Sequence, residues 1–482
     1  MTTAGSRATS LDGRAFSFRL EGHPQPPSAG DLVVLSTREA PDYLAQVVES
    51  SADDDVSSGV GSVIGAIGPD GVPDRSARSP FAGASMAPAT AAHLETLQRA
   101  TGAGLAIGQW ESGGVAVPAR LRAQGFGRHT FLCGQSGSGK TYALGLLLEQ
   151  LLLGTDLRMV VLDPNADYVQ IGAPRPDAPT EAAERIREAD VRVLGADSTG
   201  AEPLRLRFAT MPVHAQAAIL RLDGLADRGE YNQFLHLMDR PDLLDVHQIV
   251  AHLRQGDGDE QALAQRIENI GLPAWEVWAG ANPSAAEVVA SGSRLTVLDL
   301  SGFRDPHEPL AVSLDLVERL WQQREGRTPT LIVIDEAHNI CPASPSGTIE
   351  AALVTRLVQI AAEGRKYGLW LLLSTQRPSK IHPQVLSQCD NLVLMRMNSP
   401  GDLAELGTVF GFAPPAMLKS SPFFVQGEAL VAGGFVPTPA VVRMGGRLTV
   451  EGGSDVAVPV SVPARVPVSD PDDPDDPDVP VS

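Results

Sequence analysis

Eight consecutive residues, Gly134-Gln-Ser-Gly-Ser-Gly-Lys-Thr141, narrow what this chain can fold into more than any other feature. A strand-like run, His129 to Cys133, precedes them, and a leucine-rich helical run, Tyr142 to Leu153, follows. Gly134, Gly137 and Gly139 let the backbone curl until its N–H groups point inward at an anion, and the next helix adds its positive end. Gln135, Ser136 and Ser138 complete the loop. Lys140 can reach the β- and γ-phosphates of a nucleotide, and the Thr141 hydroxyl can hold Mg²⁺. Strand, loop and helix in this order predict a nucleoside triphosphate site in a parallel α/β sheet.

Binding alone is not hydrolysis, and a second segment supplies what hydrolysis needs. Leu331-Ile-Val-Ile334 predicts a buried strand that ends in two carboxylates, Asp335 and Glu336. Asp335 is placed to hold Mg²⁺ through water opposite Thr141, and Glu336 to take a proton from the attacking water. Leu371-Leu-Leu-Ser-Thr-Gln376 is a third strand ending in polar groups, where the Gln376 amide can orient water or sense the γ-phosphate. Arg365, Lys366, Arg377, Lys380 and Arg396 lie near strand and helix ends, and a neighbouring subunit could present any of them to the transition state. Asp163-Pro-Asn-Ala-Asp-Tyr168 follows another buried strand at the edge where open α/β sheets bind ligands. It reads equally well as a tight turn built from Pro, Asn and Asp. His338 adds a titratable ring two residues beyond Glu336.

The rest of the chain organises around this core. From Arg128 onward, apolar strand runs alternate with helical periodicity, as in a parallel sheet covered on both faces. Arg158 to Asp163, Leu295 to Leu300, Leu369 to Ser374 and Leu392 to Met397 are strands of this kind. Leu310, Leu314, Val317 and Trp321 share one helix face; Ile349, Leu353, Leu357 and Ile360 share another, on a helix that Gly364 ends. Residues 173–290 interrupt the alternation and predict a helical insertion within a core spanning 126–445. Residues 1–125 predict a small β-barrel-like domain. Its strand candidates are Asp31 to Ser36 and Tyr43 to Val48, with Leu105 to Trp110 and Val115 to Pro118 closing it. Residues 51–90, rich in Ser, Gly, Ala, Asp and Pro, read as a mobile excursion.

Bulk properties set limits. With 482 residues and 43% hydrophobic content there is ample material for a large core. No apolar run reaches the roughly 18 residues of a membrane span; Leu144 to Leu153 is broken by Glu149 and Gln150. The first residues lack a signal-peptide stretch, and Cys133, Cys341 and Cys389 have no metal-ligand spacing. A cytoplasmic location without membrane contact is therefore expected. The net charge of −20 opposes indiscriminate nucleic-acid coating but not a local basic channel. Part of the excess sits in residues 446–482, where Asp470, Asp472, Asp473, Asp475, Asp476 and Asp478 alternate with prolines and predict a disordered tail.

These pieces, in this order, resemble the HerA branch of the HerA/FtsK translocase ATPases. The likeness rests on Gly134 to Thr141, Asp163 to Tyr168, Val297 to Gly302, Asp335-Glu-Ala-His-Asn339, Gly364-Arg-Lys-Tyr-Gly368, Ser374 to Ser379 and Gly427 to Val431. It implies a RecA-like ATP-hydrolysing core that assembles as a homo-hexamer around duplex DNA. Lys140, Thr141, Asp335 and Glu336 would then face an arginine from the next subunit, with Gln376 as the polar sensor. Arg365 and Arg396 match positions where such a base is expected, and Arg396 is the one favoured. The loop Asn339 to Gly347 would face the pore, although it carries no base. The Asp167 position often carries Glu in the family.

Two functions follow as expectations. One is an ATP-driven DNA motor working with a partner nuclease or other effector in end processing or defence. The other is a nucleotide-dependent ring that scaffolds or regulates a partner without moving DNA; the base-free loop and the acidity favour it.

Overall fold

The computed structural model describes residues 7–453 except 22–25, 38–40, 54–55, 77–78, 238–239, 241–244 and 281. Two sheets organise them. The first contains β1 (Arg7–Ser10), β2 (Ala15–Glu21), β3 (Leu32–Ser36), β4 (Tyr43–Asp53), β5 (Val56–Ile67), β6 (Pro73–Asp74) and β7 (Phe81–Pro88). Neighbours run antiparallel in the order β2-β1-β7-β3-β4-β5, and β5 pairs back onto β2 to close a barrel, with β6 on its rim. Alternation drives the closure: Phe16, Phe18 and Leu20 of β2 point inward while Ser17, Arg19 and Glu21 face water.

Residues 51–90 are thus not the mobile excursion their composition predicts, since they carry the end of β4 and all of β5 to β7. Their glycines serve packing rather than looping. Gly59 and Gly61 lie where the Phe18 and Phe16 rings cross β5, and a Cβ there would come within 2.7 Å and 2.3 Å of ring carbons. A second correction concerns the hairpin β8 (Leu105–Ser112) and β9 (Val115–Leu121), which follows α1 (Ala91–Ala100). It extends the second sheet instead of closing the barrel, so the change of sheet falls before residue 105 rather than near 125.

The second sheet continues with β10 (His129–Cys133), β11 (Arg158–Asp163), β12 (Val191–Gly195), β13 (Glu202–Pro203), β14 (Leu295–Asp299), β15 (Thr330–Ile334), β16 (Leu369–Thr375), β17 (Cys389–Met395), β18 (Glu428–Gly433) and β19 (Ala440–Met444). The order is β13-β12-β14-β11-β15-β16-β10-β17-β18-β19-β8-β9, parallel as far as β17 and antiparallel beyond. Every residue of β10, β14 and β15 is buried, which is why these strands read as continuous apolar runs.

Helices cover both faces. The helix α2 (Lys140–Gly154) follows the phosphate loop and is buried nearly all round. Its one buried acid, Glu149, does not face solvent: Arg447 Nε lies 2.5 Å from its carboxylate, which also accepts the Leu448 and Thr449 N–H groups. Residues 446–453 therefore pack onto the core and do not belong to the tail, while the acidic stretch after Arg465 lies outside the described residues. The segment 173–290 holds α3 (Thr180–Glu188), α4 (Val213–Ile219), α5 (Arg228–Leu237), α6 (Val246–Leu253), α7 (Asp259–Asn269) and α8 (Ala285–Ser291). It is not purely helical, because Val191 to Leu194 of β12 pair with Leu295 to Leu298 and widen the sheet. Next come α9 (His307–Gln322) and α10 (Thr348–Glu363), which pack on the sheet as their apolar faces predict. Among the described residues no helix is long and apolar enough to cross a membrane.

Candidate nucleotide site

At the carboxyl end of β10 the chain turns through Gly134 to Gly139 and enters α2. Gly134 N–H bonds the Thr375 carbonyl at 3.4 Å and Gln135 N–H the Arg396 carbonyl at 3.0 Å, so β16 and β17 both hold the loop. Gly137 (φ +72°) and Gly139 (φ +94°) adopt left-handed backbone that a side chain would strain. No side chain caps the first turn of α2, which leaves its N–H groups directed at a ligand. The loop borders an open cleft of about 740 Å³ shared with Asn165, Asp167, Glu336, Gln376 and Arg443.

The distant segments foreseen from sequence converge here. Lys140 Nζ lies 2.8 Å from Asp335 Oδ1, 3.1 Å from Glu336 Oε1 and 3.2 Å from Ser374 Oγ. Gln376 Nε2 donates to Glu336 Oε1 at 2.9 Å. Glu336 sits in left-handed backbone (φ +43°), a strained bend that turns its carboxylate into the cleft. Its Oε2 is buried, 3.3 Å from His338 Nδ1, and has no hydrogen-bond partner among the described residues. Burial pulls the Lys140 pKa down, but Asp335 and Glu336 outweigh it, and the net shift is upward. Burial lowers the His338 pKa despite Glu336 beside it, which favours the neutral ring.

The turn Asp163 to Tyr168, undecided from sequence, is part of this assembly. Asp163 accepts N–H bonds from Asn165, Asp167 and Tyr168, so it shapes its own turn. That presents Asp167 to the cleft and sends the buried Tyr168 hydroxyl to Asp335 Oδ2 at 3.1 Å. Burial pushes Asp163 up to about 7 and Asp167 up to about 6, with the Asp335 charge adding to both. Tyr168 was visible only as a motif member; its bond to Asp335 follows from β11 lying beside β15. Arg443, from a short strand without a clear pattern, was missed altogether.

The two arginine candidates separate. Arg396 Nη2 lies 3.4 Å from the Gly137 carbonyl, against its own phosphate loop. The sequence preference for Arg396 as the base given to a neighbour remains an expectation, and this contact ties its guanidinium to its own loop. Arg365 precedes β16, whereas Gln376 follows it, which places them roughly 20 Å apart along the strand. Its guanidinium pairs with Asp390 at 3.2 Å. The base-free loop after Asn339 is also not isolated. Ala343 N–H bonds the Lys380 carbonyl and His382 N–H the Cys341 carbonyl, lacing it to a segment with exposed Arg377 and Lys380.

As for metal, no group of three or more His, Cys, Asp or Glu side chains among the described residues is arranged to hold an ion. The Thr141 hydroxyl lines the cleft, whereas the Asp335 carboxylate is buried behind it with Lys140 on one oxygen and Tyr168 on the other. That pair suits Mg²⁺, which takes one or two protein oxygens and fills its shell with phosphate and water.

A phosphate loop opposed by an acidic pair, on a parallel sheet with an amide at the next strand's end, defines a RecA-like P-loop ATPase core. Residues 105–269 match the family described as "Helicase HerA, central domain", and residues 284–397 match "ATPase family associated with various cellular activities (AAA)". Over residues 105–269, which include the phosphate loop, the chain is thus similar to the HerA helicases. It is 29% identical over 130 residues to the probable DNA double-strand break repair helicase HerA of Methanocaldococcus jannaschii, covering 27% of this chain and 25% of that protein. To the DNA double-strand break repair helicase HerA of Sulfurisphaera tokodaii it is 28% identical over 159 residues, 31% of each chain. The matched stretch thus spans less than a third of the length of these relatives. The solved VirB4 of Thermoanaerobacter pseudethanolicus aligns with a TM-score of 0.50 and 16% identity over 72% of this chain and 97% of that one, a likeness of fold.

Proposed function

We propose that this chain is an ATP-hydrolysing, ring-forming motor on duplex DNA that works with a partner nuclease or other effector. The observation that carries the reading is the meeting of Lys140, Asp335, Glu336 and Gln376 beside an uncapped helix start. On entry of a triphosphate, Lys140 would exchange its carboxylate partners for β- and γ-phosphate oxygens. Glu336, released from that ion pair, would take the proton of the attacking water, and Gln376 would report whether the γ-phosphate is present. Mg²⁺, held by Thr141 and Asp335, would neutralise charge on the phosphate oxygens.

Arg365 cannot serve its own site from the far end of β16, so it is the base offered to a neighbour. Cleavage at a subunit boundary links phosphate loss to movement, because such a base grips only while the charge persists. Head-to-tail contacts of this kind close into rings, and a homo-hexamer is the expected form. Exposed Arg377 and Lys380, laced to the Asn339–Gly347 loop, give it the bases it lacks for tracking a phosphate backbone. The repair helicases among the relatives support DNA as the substrate.

The second reading, a nucleotide-dependent assembly platform, draws on the net charge of −20. Turnover measured with and without duplex DNA, alongside particle mass with and without ATP, separates the two. The motor requires DNA-stimulated hydrolysis by a ring; assembly with turnover indifferent to DNA leaves the platform.

A further inference from the structure

On the edge of the sheet opposite the nucleotide cleft, the amino ends of β11, β14, β15 and β16 surround a cavity of about 110 Å³. Arg158 and Arg324 line it, and none of its lining residues is acidic. In a chain with twenty more acids than bases this stands out, since several of the fold's less exposed arginines find carboxylates: Arg447 meets Glu149, and Arg266 meets Asp227 and Glu230. The Arg158 guanidinium has no acceptor among the described residues. Arg324 donates Nη1 to the Trp321 carbonyl and stacks 4.5 Å from the Trp321 ring. Among the described residues its buried Nε has no acceptor, and the carboxylate of the exposed Glu325 stays 3.8 Å away.

The floor is polar as well. Buried Ser293 and Thr296 place their hydroxyl oxygens 2.6 Å apart, which leaves one O–H free to turn into the cavity. A purely structural role, capping the carboxyl end of α9, uses one of the roughly ten N–H donors that two guanidiniums carry. Two like charges in a confined space with spare donors repel each other unless an anion joins them. The volume admits a few waters or one small anion and is far too small for a nucleotide.

We propose that this cavity binds a single tetrahedral oxyanion, inorganic phosphate or sulfate, held by the forked donors of Arg158 and Arg324 and a floor hydroxyl. Tyr367, which also lines the cavity, belongs to the turn that carries Arg365, so occupancy braces that turn. Binding itself does not depend on the motor reading.

The test is calorimetric titration of inorganic phosphate, and separately of sulfate, into the full chain saturated with Mg·ADP, which fills the phosphate loop. One anion per chain is expected, with affinity at least tenfold weaker in Arg158→Gln, intermediate in Arg158→Lys, and unchanged in Lys140→Ala, which is titrated without nucleotide because it has lost that affinity. Arg158 has no partner among the described residues, so Arg158→Gln should fold; Arg324→Gln, which loses the Trp321 stack, is read only after its melting curve is recorded. Binding of both anions marks a general oxyanion site, and preference for phosphate marks a site for the reaction product. No binding at this stoichiometry, or binding lost in Lys140→Ala and kept in Arg158→Gln, overturns the proposal.

Discussion

Lys140 Nζ and Asp335 Oδ1 stand 2.8 Å apart although 195 positions separate them in the chain. The contact exists because β10 and β15 both flank β16, so their carboxyl ends open on one cleft. Glu336 shares the same ammonium at 3.1 Å. Lys140→Ala should therefore remove nucleotide affinity and turnover together. Glu336→Gln should keep nucleotide binding and lower turnover by about 100-fold or more, the usual worth of a general base. Phosphate release and fluorescent-nucleotide binding check the pair; a Glu336→Gln protein with near-normal turnover would remove Glu336 from the mechanism.

Tyr168 gives a subtler case. Its hydroxyl is the only donor seen on Asp335 Oδ2 among the described residues. Replacing it with Phe keeps the ring in its buried place and leaves one carboxylate oxygen free to turn, a loss of about 1–3 kcal/mol of orientation at the proposed Mg²⁺ position. Tyr168→Phe should fall about tenfold in kcat, regain part of that at high Mg²⁺, and hold KM for ATP nearly constant. A rise in KM with kcat unchanged would show that the hydroxyl acts on nucleotide binding instead.

The site was more legible in the sequence than the architecture around it. Gly134 to Thr141 and Leu331 to Glu336 are local patterns with one chemical purpose, and a parallel sheet brings strand ends together whatever lies between. Misreadings arose where meaning depended on a distant neighbour. Glu149 looked like a break in an apolar run, and only Arg447, about 300 residues later, makes it a core residue. Gly59 and Gly61 suggested a loop because nothing local says that Phe18 and Phe16 must cross them. The β8–β9 hairpin joins the ATPase sheet through β19, a pairing between segments more than 300 residues apart.

Arg365 and Lys140 offer a direct test of the proposed ring. Arg365→Ala alone should lower turnover about a thousandfold, the low end for a trans-acting arginine. Lys140→Ala alone should be inactive as well. In a one-to-one mixture, an Arg365→Ala subunit keeps its Lys140 and can receive Arg365 from a Lys140→Ala neighbour. About one boundary in four is then complete, and turnover should return to roughly a quarter of the wild-type rate if subunits exchange and act independently. Mixtures no more active than their components, with exchange confirmed by mass, would place Arg365 outside the site.

Asp315 on α9 links stability to pH away from the chemistry. Burial raises its carboxyl to about 7, against the opposing pull of Arg319. In the unfolded chain the same group has lost its proton above 3.8, so between there and about 7 the folded state binds the extra proton. Stability from this group is therefore greatest at low pH and falls as pH rises through the window, by up to an order of 4 kcal/mol, before levelling off. Asp315→Asn removes the ionisation while keeping the shape, and should flatten this part of the profile. Melting temperatures of both proteins from pH 4 to 8 should lie closest at the acid end, with the variant's advantage growing up to about pH 7 and level above it. Parallel curves across the range would mean that Asp315 titrates normally and that α9 admits water at that position.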